Sequence, residues 1–289
     1  MSLKTGEVPF IPPMPLLRAI KSAARCIPLL GKIGRRSTRR VNVLMLHFGR
    51  CGSTAVGNLL RQHKELVWDS EILQYRKENL LPECILTADP RTLIRLRSLR
   101  AGNRNFGFEL KPLPFMHLST DQLNMTQCDF FNYIQSLNLT HLIFVSRKHY
   151  LRQLLSLTIA VDKGVYERSP EQHSRGSKVI IDCKQNAFNK QPLRDLFRIY
   201  DSITEGIRQF ASQGTMQFLE LEYQRDIMRD PLVAYHQVCD FLEISRQNAV
   251  LRNKKVNVTD LRSSIINFDD VTAALEGTEF SWMTSTDEE

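Results

Sequence analysis

The stretch Val41-VNVLMLHFGRCGST-Thr54 decides the fold, because a short, almost continuous apolar run passes directly into a turn of Gly, Arg, Gly, Ser and Thr. A run of that length with no alternation is expected of a strand buried on both faces of a parallel sheet. The residues after it, "STAVGNLLRQH", predict a helix with Ser53 and Thr54 in the N-cap region. A strand, a glycine-bearing turn and a helix leave the first helical N–H groups aimed at one point, where the helix dipole favours an anion. In "GRCGST" Gly52 allows close approach of the backbone, Ser53 and Thr54 offer hydroxyl donors, and Arg50 supplies a full positive charge.

Further along, "NFGFEL" (105–110), "HLIFVS" (141–146) and "TMQFLEL" (215–221) predict strands, and "ELVW" a short one after the first helix. Helices are expected around 90–100, 121–137, 148–161, 191–212 and 231–243. Strands alternating with helices imply an α/β fold, a three-layer sandwich with a central, mostly parallel sheet. There is no internal repeat, and "ERSPEQHSRGSK" (167–178) predicts an exposed loop of a length often used for lids or substrate contacts.

The 289 residues, 42% of them hydrophobic, suit one large α/β domain over 41–289 with a variable loop about 163–190. The formal charge of +8 is uneven. Residues 1–40 hold nine Lys or Arg against Glu7, and the remaining 30 basic residues face 30 acidic ones, so the body is neutral and does not suggest nucleic-acid binding. The arm mixes its basic residues with apolar ones at near-helical spacing, which suits either a packing segment or a peripheral contact with a membrane. Six scattered cysteines without a CxxC pair imply reduced thiols, a cytoplasmic setting and no zinc site. No segment has the roughly 18–20 apolar residues of a membrane span, and no signal peptide is recognisable.

The loop departs from the nucleotide-binding pattern G-x-x-x-x-G-K-[ST]: His47 stands where the first Gly belongs, and no Lys follows Gly52. The strand "HLIFVS" runs into Arg147 rather than into an Asp that would hold magnesium. Arg147, at a strand's C-terminal edge, is expected to face the crevice where open α/β sheets bind ligands. Ser156 follows nine residues later on the next helix, with Arg152 on its face as a secondary candidate.

That arrangement resembles the sulfotransferases that use 3'-phosphoadenosine 5'-phosphosulfate (PAPS) and release 3'-phosphoadenosine 5'-phosphate (PAP). Their loop reads "RSGST" or "KSGTT", and "RCGST" matches it with Cys51 in place of the first Ser. The resemblance implies that Arg50, Cys51, Gly52, Ser53 and Thr54 bind the phosphosulfate end of the donor, and Arg147 and Ser156 its 3'-phosphate. "DSEIL" is similar to the branch, seen in bacterial and carbohydrate-type enzymes, in which a Glu is the general base. Glu71 is thus the expected base, with Asp69 the weaker alternative and Arg50 beside the bridging oxygen. His63, His117, His141 and His149 are the rival His bases, and His47 has a place either at the donor site or in the core.

"FLELEYQRDIMRDP" resembles the family's strand beside the adenosine pocket. It leaves Tyr223 either stacking on the base or packing in the core, and has Gln224 where a Glu is usual. Near the C-terminus Lys255 corresponds to the charge that closes over the donor. The expected reaction is metal-free transfer of a sulfuryl group to a hydroxyl or amine of a small-molecule, lipid or sugar acceptor. The alternatives are a nucleotide-dependent kinase with a degenerate loop, and a non-enzymatic binder acting through the basic arm.

Overall fold

The computed structural model describes residues 41–73, 90–118, 123–164, 178–185, 190–251 and 260–285. The basic arm, Lys255 and most of the 163–190 loop lie outside the described residues.

Five strands, β1 (Asn42–His47), β2 (Leu66–Glu71), β3 (Asn105–Leu110), β4 (His141–Ser146) and β5 (Gln217–Glu222), form one sheet in the order β2-β3-β1-β4-β5. Every pairing is parallel. The helices are α1 (Ser53–Leu60), α2 (Pro90–Arg100), α3 (Gln127–Gln135), α4 (Tyr150–Lys163), α5 (Leu193–Ser212), α6 (Pro231–Phe241), α7 (Leu261–Ser264) and α8 (Phe268–Leu275). A π-helical turn, Tyr223–Ile227, follows β5, and a 3₁₀ turn, Ser281–Thr284, follows α8.

β1 is central, and its alternate residues enter two cores. Leu44 and Leu46 join a large cluster with Phe108, Phe144, Leu151 and Phe197, while Val43 and Met45 join a smaller one with Val56, Leu59, Trp68, Tyr235 and Val238. Burial on both faces is why β1 carries an apolar run rather than alternation. α5 shows the complementary pattern: Leu193, Leu196, Phe197, Tyr200, Ile203, Ile207 and Phe210 are buried, an apolar stripe at helical spacing. Leu46 is fully buried. Leu46→Ala is expected to cost about 2–5 kcal/mol, read as a lowered midpoint of urea unfolding.

The chain leaves β1 in opposite directions, to β2 by way of α1 and later to β4, so the turn after β1 lies at the switch point of the sheet, where open α/β folds bind ligands. Between β2 and β3 the register shifts: Asp69 faces Phe108, and Glu71 faces Glu109, leaving Ser70 as an extra residue. Such a bulge re-aims the side chain that follows it, here Glu71. Among the described residues no helix is long and apolar enough to cross a membrane.

Candidate active site

The turn between β1 and α1 has three left-handed residues, Gly49 (φ 81), Arg50 (φ 54) and Gly52 (φ 84). Runs of this kind fold the backbone into an anion-binding concavity. Gly52 itself is the N-cap of α1 and lacks a side-chain cap; Ser53 and Thr54 are the first helical residues, rather than the capping ones the sequence predicts. Gly52 O accepts from Ala55 N (3.0 Å) and Val56 N (3.2 Å). Thr54 is exposed, Ser53 is buried, and Cys51 is fully buried. Of this loop's side chains, therefore, Cys51 points into the core, and its backbone is what it offers to a ligand.

Arg50 and Ser156, 106 residues apart, meet: Arg50 Nε donates to Ser156 Oγ at 3.0 Å. Arg147, at the end of β4, donates from Nη1 to Arg50 O at 3.1 Å, and its guanidinium stacks 4.5 Å from the centroid of the Tyr223 ring, a cation–π contact. Gln153, on α4 and 2% exposed, donates from Nε2 to Gly49 O at 2.6 Å, and its buried Oε1 has no partner among the described residues. Tyr223 also lies against Gly52, where an added Cβ would come within 3.1 Å of the ring. The ring thus packs beneath the loop, held between Gly52 and Arg147.

His149, the N-cap of α4, accepts from Arg152 N. Burial, then the charges of Arg152 and Arg147, push its pKa down to about 3. The ring is neutral, and the end of β4 is a site of concentrated positive potential.

On the other side of the loop Glu71 accepts from Lys111, Nζ to Oε2 2.6 Å, and His117 Nε2 lies 3.8 Å from the same oxygen. Burial would raise the Glu71 pKa; the charges of Lys111, His47 and His117 outweigh it, and the group is held below the usual carboxylate range. Lys111 Cε passes over Gly49, 3.6 Å from where a Cβ there would sit. Lys111 N donates to His117 Nδ1 at 2.8 Å, so the segment after β3 is tied back on itself.

Asp69 is taken up by Arg97, which donates to both its oxygens from Nε and Nη2. His63 contacts Ser245 O (2.7 Å), and His141 packs edge-on against Phe241. Only His117 among the rival bases stands beside Glu71. Two participants escaped the sequence reading. Lys111 follows a strand directly, the same strand-end signal that pointed to Arg147. Glu109, 3% exposed in β3, accepts from Trp68 Nε1 at 2.7 Å and lies 3.2 Å from His47 Nε2. Among the described residues no group of three or more His, Cys, Asp or Glu is arranged to hold a metal ion.

No family model matches the chain, and no curated protein matches it in sequence. Among solved structures it is similar to a sulfotransferase from Alicyclobacillus acidocaldarius, with 13% identity and a TM-score of 0.42 over 82% of this chain and 91% of that one. It is likewise similar to mouse sulfotransferase SULT7A1 complexed with PAP, with 10% identity and a TM-score of 0.42 over 89% of this chain and 91% of that one.

Proposed function

We propose that the chain is a PAPS-dependent sulfotransferase acting on a hydroxyl or amine of a small-molecule, lipid or sugar acceptor. The observation that carries this reading is the Arg50–Ser156 hydrogen bond with Arg147 on the Arg50 carbonyl. Two signatures far apart in the chain, one suited to a phosphosulfate and one to a phosphate, converge on one crevice. The residues suit a nucleotide with a phosphate at each end. The left-handed turn and the start of α1 present backbone donors, Arg147 and Ser156 provide a charged and a neutral donor nearby, and Arg152 adds charge.

The chemistry follows from what surrounds the loop. As the acceptor oxygen forms its bond to sulfur, the bond from sulfur to the bridging phosphate oxygen breaks. The acceptor's proton goes to a base and negative charge grows on the leaving phosphate. Glu71 is ionised and able to take the proton; Arg50 and Lys111 bring positive charge to the side where the leaving oxygen develops its own. In-line placement of the acceptor would supply the remaining advantage.

A thermal-shift comparison tests the reading. PAP at about 100 times its dissociation constant stabilises by about 2.7 kcal/mol and is expected to raise Tm by about 5 °C or more, with no rise from ATP and magnesium. The reverse pattern would replace this proposal with a kinase. Transfer of labelled sulfate from PAPS to panels of phenols, sugars, hydroxylated lipids and amines then identifies the acceptor class.

A further inference from the structure

We propose that His47, oriented by Glu109, is a positioning residue of the anion loop, and that its protonation decides whether Gly49 N–H and the Ser53 hydroxyl point inward to the ring or outward to a bound anion. This rests on the loop being an anion site and does not depend on sulfuryl transfer.

β1 ends at His47, so its imidazole lies directly beneath the turn, 1% exposed. Nε2 faces Glu109 Oε2 at 3.2 Å, and the other Glu109 oxygen is held by the Trp68 indole. α1 closes over this pair: a Cβ on Gly57 would come within 2.4 Å of Glu109 Oε1, so only glycine permits the approach and the carboxylate has no room to swing away. The ring therefore has a fixed carboxylate beside Nε2, 3.2 Å away but outside hydrogen-bonding geometry.

Its Nδ1 side faces the loop. Gly49 N–H donates to Nδ1 at 3.1 Å, and Ser53 Oγ lies 3.1 Å from the same nitrogen. A ring nitrogen carries either a lone pair or a proton. With the lone pair, Nδ1 accepts from both Gly49 and Ser53, and two donors of the loop are spent on the protein itself. With the proton, Nδ1 donates to Ser53 Oγ. The serine hydrogen is then turned outward, Gly49 N–H leaves the ring, and a positive charge sits under the anion. A bound anion favours that second state, and reciprocally the second state favours the anion.

The ionisable groups facing the ring are Glu109 from β3, Cys51 in the loop, Glu71 at the end of β2 and, paired with Glu71, Lys111 after β3. Burial by itself would lower the His47 pKa; Cys51 and Glu109 outweigh it and raise the value from 6.5 to about 9. The contact from Gly49 N–H to Nδ1 belongs to the neutral ring; the raised value favours the cationic one, which is lost as pH rises, and anion affinity is expected to fall with it.

The experiment measures PAP affinity of the full chain from about pH 7.5 to about 10, where phosphates with a second pKa near 6 stay fully ionised. Inorganic sulfate, whose charge is constant there, serves as the second probe. Wild-type affinity is expected to fall about fivefold by about pH 10 for a rise of about one pK unit on binding, and calorimetry in two buffers of different protonation heat should show proton uptake near the midpoint. Glu109→Gln keeps an acceptor for Trp68 but lacks the charge, and is expected to move the midpoint down by about one unit. His47→Asn is expected to abolish the step.

A purely structural role would weaken binding at every pH with the midpoint unmoved, and that result overturns the proposal, as does the absence of proton uptake in the wild type. If sulfate binds with the pH step and PAP does not bind, this inference stands and the donor assignment falls. If neither binds, the anion loop and this inference fall together.

Discussion

Glu71→Gln is expected to lower sulfuryl transfer by about 10²–10⁴ while leaving the PAP-induced rise in Tm close to that of the wild type. Gln keeps the size of Glu and an oxygen for the Lys111 ammonium, so the Lys111 contact is retained at reduced strength and what is lost is the capacity to accept a proton. The protonation state is already right in the wild type, because Lys111, His47 and His117 hold the carboxyl ionised against the cost of burial. That same stabilisation makes Glu71 a weaker base than a free carboxylate, so the ion pair with Lys111 has to loosen as the proton arrives.

The sign for pH follows: the folded pKa is depressed, so activity carried by Glu71 persists to pH values below the ordinary range of about 4.3 and disappears as pH falls through the lowered value. Asp69 offers no substitute, since Arg97 occupies both its oxygens. Measured turnover near that of the wild type in Glu71→Gln would remove Glu71 from the chemistry.

The positions of β1, β3 and β4 are legible because each is a short apolar run with both faces buried, and α5 because about five turns of sequence spacing match one apolar face, from Leu193 to Phe210. The convergence of Arg50, Arg147 and Ser156 was also readable, since a charge at a strand end and a serine on the next helix are placed by topology alone. The N-cap of α1 was not. Gly, Ser and Thr all occupy such positions, and nothing in the letters "GST" says that Gly52 takes φ 84 while Ser53 turns inward to His47.

The bulge at Ser70 was hidden for a related reason. One extra residue in a six-residue strand leaves no trace in composition, yet it determines where Glu71 points. Glu109 looked like an ordinary polar position in "NFGFEL". Its burial depends on Trp68 from β2 and on the close approach of α1 at Gly57, contacts more than forty residues away in sequence. The letters carry local geometry well; they carry the pairing of buried charges poorly, because that pairing is decided by whichever helix covers the strand.

Gly52→Ala is expected to remove both stability and anion binding. The residue has φ 84, where an L side chain costs about 1–2 kcal/mol, and its Cβ would stand 2.6 Å from Ile227 Cγ2 and 3.1 Å from the Tyr223 ring. Forcing atoms into a packed contact of that kind typically adds about 1–3 kcal/mol. At about 2–4 °C per kcal/mol for a large domain, the two costs correspond to a loss in Tm of roughly 4–20 °C. Gly102→Ala is the matched control. Its φ is 60, and nothing lies within 4 Å of the added Cβ, so it bears the backbone strain without the clash.

The difference between the two variants therefore isolates the contact of the loop with Tyr223 and Ile227. That contact matters for function because Tyr223 supports the Arg147 guanidinium on its other side; pushing the ring away from Gly52 pushes it into Arg147 and moves the charge from the Arg50 carbonyl. PAP is accordingly expected to stabilise Gly102→Ala as it does the wild type and to leave Gly52→Ala unchanged. Equal Tm losses in the two variants, with PAP binding retained in both, would show that the loop's shape does not depend on its packing against the turn after β5.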